Sequence, residues 1–352
     1  MNDPALMAVR YAETGLPRKP RLVPWVTLVD LGDERLQFRG AEFSYTLQSE
    51  FFINAFKIIK PLLDGGHSVE KITASAEPAY LPTSILFLLK MLRANGLLQE
   101  ADHARFPSLS PEELEKNERF LRFFSHFAPD SQGMLASLRQ ARVGVVGSRE
   151  LKTCIQNSIR DTGVNQLIDF EPLFSNTKEI GNKNGMVAGL KGIDLLIACQ
   201  ESEGFSFFEK VNDLCLQTGT RWMRVSIEGT TGFLGPTTVP HHTACYSCFE
   251  RRLNSNQPNL DDYLVYKEQV KRENEPRDEG FFPLLGSLLA SQAAIEAVRI
   301  LTGFSPPGTF GRFYEMSLSL PSSVGHDVLR IPRCPKCHKN RGARQEAWDS
   351  TA

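Results

Sequence analysis

The chain has 352 residues, with 40 basic side chains against 41 acidic ones, a net charge of −1 and seven cysteines. Balanced charge gives no electrostatic basis for a nucleic-acid or membrane partner, while the length suffices for two or three domains with cores of their own. The N-terminus carries no basic-then-apolar signal and no apolar run of about 18 residues stands out, so a cytoplasmic protein without a membrane span is expected.

In chain order, a basic, proline-containing lead (1–21) reads as disordered. Three apolar segments follow, 26–29, 36–38 and 43–47, punctuated by Gly32 and Gly40. They predict a small antiparallel meander. Helical periodicity then covers 51–63, ending at Gly65-Gly66, a short segment at 69–75, and 81–95, ending at Gly96. Three strands and three helices describe a winged-helix-like domain over 22–105. Such a domain raises the question of DNA, but residues 22–100 hold seven basic side chains against nine acidic ones. DNA affinity rests largely on neutralising phosphates, so a DNA-binding regulator is disfavoured. Strand addition of an extended peptide is the better functional reading, with a purely structural cap as its alternative.

A helical connector spans 106–137. Ser110-Pro111-Glu112-Glu113 has the N-cap, the N1 proline and the capping-box glutamate of a helix that should run to about Phe127. From 138 to 340 strands alternate with helices: a buried strand at 141–147, a helix around Cys154, strands at 166–170, 194–199 and 222–227, and a helix at 207–218. This predicts a mostly parallel, Rossmann-like α/β sheet. The polar stretch 254–280 reads either as an interaction or lid segment or as a solvated loop, with a helix at 261–273. Residues 285–301 form a small-residue-rich core helix, and 341–352 are a tail.

Two Cys-x-x-Cys pairs, Cys245/Cys248 and Cys334/Cys337, are separated by 85 residues. Two pairs in turn-rich stretches point to one tetrahedral Zn²⁺ site, which would pin the end of the chain to its middle. A disulfide or chance spacing is the alternative. His241, His242 and His338 flank the pairs and read as surface or supporting residues, because four thiolates already complete a tetrahedron. Cys154, Cys199 and Cys215 read as inert core thiols.

Glu118-Arg119-Phe120, Ala141 to Gly147, Leu167 to Glu171, Ile193 to Leu196, Cys245/Cys248, Gly286 to Ala290 and Arg333 to Cys337 fall in the order seen in ThiF/MoeB-type, ubiquitin-activating-like proteins. With the winged-helix-like region in front and the run Thr243 to Arg252, the chain resembles the ThiF-like partner protein of thiazole/oxazole-modified microcin biosynthesis. The resemblance implies that the front domain is a RiPP recognition element binding the leader of a ribosomally made precursor peptide. It also implies a separate YcaO cyclodehydratase as partner, with a flavin-dependent azoline dehydrogenase and a second copy of the chain as further candidates. The leader would lie beside the third strand and against the third helix. Phe43, Tyr45, Leu47, Leu88 and Leu92 would then shape pockets, and Lys90 and Arg93 would meet leader carboxylates.

Departures from the catalytic relatives decide the expected role. The resemblance implies a glycine-rich G-x-G-G-x-G turn and a D-x-T-D-N segment in members that bind ATP. Here these read Gly147-Ser148-Arg149-Glu150-Leu151-Lys152 and Ala198-Cys199-Gln200-Glu201-Ser202, while Asp169 keeps the ribose-contacting acid. Glu150 is expected where a phosphate would sit. The chain therefore reads as a non-catalytic binding subunit, with zinc as its only cofactor, and the alternative is an ATP-dependent adenylating enzyme acting on a peptide C-terminus.

Overall fold

The computed structural model describes residues 15–23, 26–40, 44–100, 110–124, 131–170, 183–273, 280–318 and 322–338. The chain forms two compact units that part between Ala136 and Ser137.

In the first unit, β2 (Thr27–Asp30), β3 (Arg35–Arg39) and β4 (Ser44–Gln48) form an antiparallel sheet in that order. Ser49 caps α1 (Glu50–Ile59), Ser68 caps α2 (Val69–Ser75), and Pro82 opens α3 (Pro82–Ala94). Each hydroxyl accepts an otherwise orphaned backbone N–H, which is why these serines mark the helix starts. The core is made by the inward positions: Phe38 meets Phe56 edge-on at 5.0 Å, and Ile59, Ile72, Ile85 and Leu89 seal it. One boundary is corrected. Pro20–Leu22, inside and at the end of the segment read as a disordered lead, is β1, and it pairs antiparallel with β5 (Leu98–Glu100). Residues 1–14 lie outside the described ones.

The capping box at Ser110 is formed in both directions, Glu113 N–H to Ser110 Oγ and Ser110 N–H to Glu113 Oε2. The helix it starts is shorter than expected. It breaks at Asn117 into α4 (Pro111–Lys116) and α5 (Glu118–Phe124), and α6 (Ser131–Gln140) leads into the second unit's first strand.

The second unit is a seven-stranded sheet. Strands β6 (Arg142–Gly147), β7 (Gln166–Asp169), β8 (Leu195–Gln200) and β9 (Trp222–Glu228) pair in parallel in the order β7-β6-β8-β9. All six residues of β8 are buried, as expected of a strand covered on both faces. The sheet then continues antiparallel through β10 (Thr231–Thr238), β11 (Arg312–Ser317) and β12 (Ser323–Asp327), so only its first half is parallel. Among the described residues its helices are α7 (Arg149–Asp161), α8 (Lys183–Leu190), α9 (Phe205–Thr218), α10 (Tyr246–Ser255), α11 (Leu260–Glu273) and α12 (Pro283–Thr302). Pro283 in its first turn and Gly303 at φ 68° bound α12. Contrary to expectation, α12 is apolar and long enough by composition to cross a membrane, yet 56% of that stretch is buried inside the unit, as in a core helix.

Candidate functional site

The four cysteines converge, although the pairs are far apart in sequence. Cys245 is the N-cap of α10 and Cys248 lies in its first turn, while Cys334 and Cys337 lie on a turn beyond β12. Their sulfurs all lie within 4.8 Å of one another and all four residues are buried. The separations are 3.9 Å for Cys245–Cys248, 3.7 Å for Cys245–Cys334 and 3.7 Å for Cys248–Cys337. A tetrahedron with metal–sulfur bonds of about 2.3 Å has edges of about 3.8 Å, so the donor set fits a tetrahedral metal such as zinc. A disulfide does not fit: bonded sulfurs stand about 2 Å apart, and all seven cysteines are free thiols.

Electrostatics point the same way. Hydrogen bonds from Cys245 and Cys248 lower the Cys337 thiol, while Cys245 is raised by its bonds to Cys248 and Cys337 and by burial. Four sulfurs this close cannot all ionise without a cation among them. The Ile331 amide donates to Cys248 Sγ at 3.4 Å, and the start of α10 adds its positive end. His338 makes its ring hydrogen bond with the Cys334 carbonyl at 2.7 Å, and among the described residues the metal-compatible group is the four cysteines alone. A support that the sequence did not reveal is Arg224, 4% exposed, which pairs with Glu228 and lies over Phe208, Phe233 and Phe249, the residue after Cys248.

At the turn after β6, Gly147 adopts φ 135° and Ser148 holds the N-cap position of α7 without a side-chain bond to the helix. The expected intruder there is Glu150, but Glu150 is exposed. It is Glu201 that meets the helix start, accepting from the Leu151 N–H at 2.8 Å. Ser148 ties the two loops together, donating to Gln200 Oε1 at 2.8 Å and accepting from the Glu201 N–H at 3.1 Å. Burial, reinforced by Glu150, raises the Glu201 carboxyl above its usual range despite that bond. Asp169 pairs with Lys152 at 3.4 Å. Cys199 and Cys215 are buried, with burial pushing the Cys215 thiol well up, and Cys154 is half-buried on α7.

In the first unit the assigned peptide contacts divide. Leu47, Leu88 and Leu92 are 3%, 0% and 0% exposed and belong to the core, which corrects their assignment to pockets: a side chain sealed beneath its own helix offers a ligand no surface. Arg93 holds the Leu98 carbonyl at 2.7 Å, tying α3 to β5. Tyr45 and Lys90 are half-buried, and Phe43 lies outside the described residues. An unforeseen aromatic surface joins the starts of α1 and α3. Phe51, 48% exposed, meets Phe52 at 5.2 Å and Tyr80 at 4.9 Å, and Phe52 meets Phe87 at 5.7 Å. The signal was present in Phe51-Phe52 and Phe87, one position from the leucines chosen.

The polar stretch after α10 is not a solvated loop over α11. Lys267 is 4% exposed, pairs with Glu250 and lies 5.0 Å over Phe205; Tyr266 donates to Glu203 and Lys271 pairs with Glu209 at 2.7 Å.

The ThiF family pattern matches residues 162–338, half of the chain. The chain belongs to the ThiF family. A relative, protein HesA of Leptolyngbya boryana, is 22% identical over 156 residues, 44% of this chain and 48% of that protein. The chain thus spans about half the length of this relative. The heterocyclase TruD superposes with a TM-score of 0.65 at 19% identity, over 91% of this chain and 43% of that one. Escherichia coli MccB does so with a TM-score of 0.64 at 13% identity, over 92% and 98%. At these identities the likenesses establish the ThiF-type fold.

Proposed function

We propose that this ThiF-like chain binds the leader of a ribosomally made precursor peptide in the cytoplasm and presents the core segment to a separate YcaO cyclodehydratase for azoline formation. Proximity supplies the catalytic benefit, since a tethered core reaches another protein's active site at high effective concentration. The observation that carries a binding role is the closed turn after β6. Where ATP-using relatives would need free amides for phosphates, the chain's own Glu201 carboxylate takes the Leu151 amide. Supporting it, solved likenesses include a heterocyclase with substrate and cofactor and MccB together with MccA. Zinc, held by Cys245, Cys248, Cys334 and Cys337, is proposed as a structural ion that fixes the end of the chain.

The competing reading is ATP-dependent adenylation, since MccB has also been solved with ATP. Titration calorimetry with Mg-ATP decides between them. No saturable heat in the micromolar range is expected, nor ATP–pyrophosphate exchange; a clear signal of either kind without a YcaO protein overturns the scaffold reading. In Glu201→Gln the Leu151 amide keeps an acceptor, so the variant should fold and still fail to bind ATP.

For the leader, we propose strand addition on β4, which among the described residues has a neighbouring strand on one side only, alongside the aromatic surface of Phe51, Phe52, Tyr80 and Phe87. Backbone pairing would supply affinity and the rings selectivity for apolar leader side chains. Phe51→Ala removes an exposed ring and should weaken leader binding by about tenfold or more in fluorescence polarisation, consistent with losing a buried aromatic anchor. Lys90→Glu should weaken it further at low salt if leader carboxylates face α3. Unchanged affinity in both variants moves the leader away from this surface.

A further inference from the structure

The four cysteines bring together two stretches, 239–249 and 328–338, in which the sequence has no acidic residue. What they gather instead is arginine. Arg251 and Arg252 stand three and four positions after Cys248, so both share its side of α10, and both are exposed. Arg252 Nε donates to the Leu329 carbonyl at 3.1 Å and Arg330 Nη1 to the His241 carbonyl at 2.6 Å, which ties the last segment to α10 and to the loop before it. Both acceptors are neutral, so neither bond cancels a charge. Arg333, next to Cys334, is exposed as well. Among the described residues none of these four arginines has an ion pair, whereas the acids around them are taken: Glu250 pairs with Lys267, Asp213 with Lys336 and Asp327 with Arg312.

Such charge could serve only to offset the cysteine sulfurs. Cations in water do this poorly, since exposed charges are screened over about 8 Å at physiological salt, and the buried sulfurs already have the Ile331 amide and the positive end of α10. Arginine in place of lysine points to recognition, because its planar fork takes a carboxylate or a phosphate by two parallel hydrogen bonds. The surroundings choose between those two. Single-stranded nucleic acid needs exposed rings for its bases to stack on, and the rings beside the cysteines, Tyr246 and Phe249, are each 3% exposed. Leu329 is the exposed side chain, at 65%, and its carbonyl is the one that Arg252 holds. An apolar side chain set among arginines has the composition of a protein contact. We propose that this face docks an acidic segment of a partner protein, with carboxylates met by Arg251, Arg252 and Arg333 and an apolar side chain placed against Leu329. The face belongs to the second unit, so it stands or falls apart from the leader surface proposed on the first.

The test uses the full-length protein, with its zinc content measured, and as probe a short fluorescein-labelled peptide of glutamate and leucine. Fluorescence polarisation at low salt should show micromolar binding that weakens as salt rises, and the same peptide with glutamine for glutamate should not bind. Charge reversal at two exposed positions, Arg251→Glu with Arg333→Glu, should weaken binding by about tenfold or more. Should that variant lose zinc or fail to fold, hydrogen exchange on the parent protein reports independently: the peptide should slow exchange within 246–255 and 328–338. A parent protein that does not bind the peptide overturns the proposal. So does binding that survives the charge reversal, or a footprint outside these segments. A DNA oligonucleotide of equal charge bound more tightly than the peptide also overturns it, and gives the face to nucleic acid.

Discussion

Serine at Cys334 is expected to abolish the folded second unit, and serine at Cys245, Cys248 or Cys337 to do the same. These sulfurs join segments 89 residues apart in sequence, so the ion would act as the only covalent-strength link between α10 and the turn beyond β12. Apparent binding energies of structural zinc are about 10–16 kcal/mol, as large as the whole stability of a typical domain, about 5–15 kcal/mol. Elemental analysis of the purified protein should find one zinc per chain. A strong chelator should lower the melting temperature, and the serine variants should lose soluble yield. Metal-free protein that melts like the parent would refute a structural ion.

Alanine at Gly147 is the second change with a large expected effect. A Cβ there would stand 1.6 Å from the Cys199 carbonyl oxygen and 2.7 Å from its carbon, both backbone atoms of β8. The residue also holds φ 135°, a region closed to side chains. Relief requires β6 and β8 to separate at the end of β6, where Ser148 N–H bonds the same carbonyl at 3.0 Å. A loss of about 4 kcal/mol or more follows from forcing such a clash in a core. Thermal melting checks it: a variant within a few degrees of the parent would mean that the strands tolerate the insertion.

Gly147 illustrates which features were legible before the structure. The run Arg142 to Gly147 reads as a buried strand ending in a turn because its apolar residues are contiguous and its glycine terminal, and the cysteine pairs read as a metal centre because their spacing has little other use. The antiparallel half of the sheet was not legible. Thr231–Thr238 contains two glycines and a proline, which erase the strand signal, and three-residue strands such as Pro20–Leu22 are too short to carry a period. Alternation puts Tyr45 and Leu47 on one face of β4, but only packing says that the face is turned to the core. Apolar residues of α3 extend beyond its buried side, so Leu88 and Leu92 could not be told from Phe87 by composition. The Glu201–Leu151 bond joins loops fifty positions apart and leaves no local trace.

The pairing of Leu22 with Leu98 puts the first and last strands of the front unit side by side. A segment such as Pro20 to Glu100, whose two ends are paired strands, can be spliced into another chain without straining either junction, because the host chain resumes close to where it broke off. Evolution can then treat such a module as a portable cassette that moves with its own core, from Val23 to Leu98, intact.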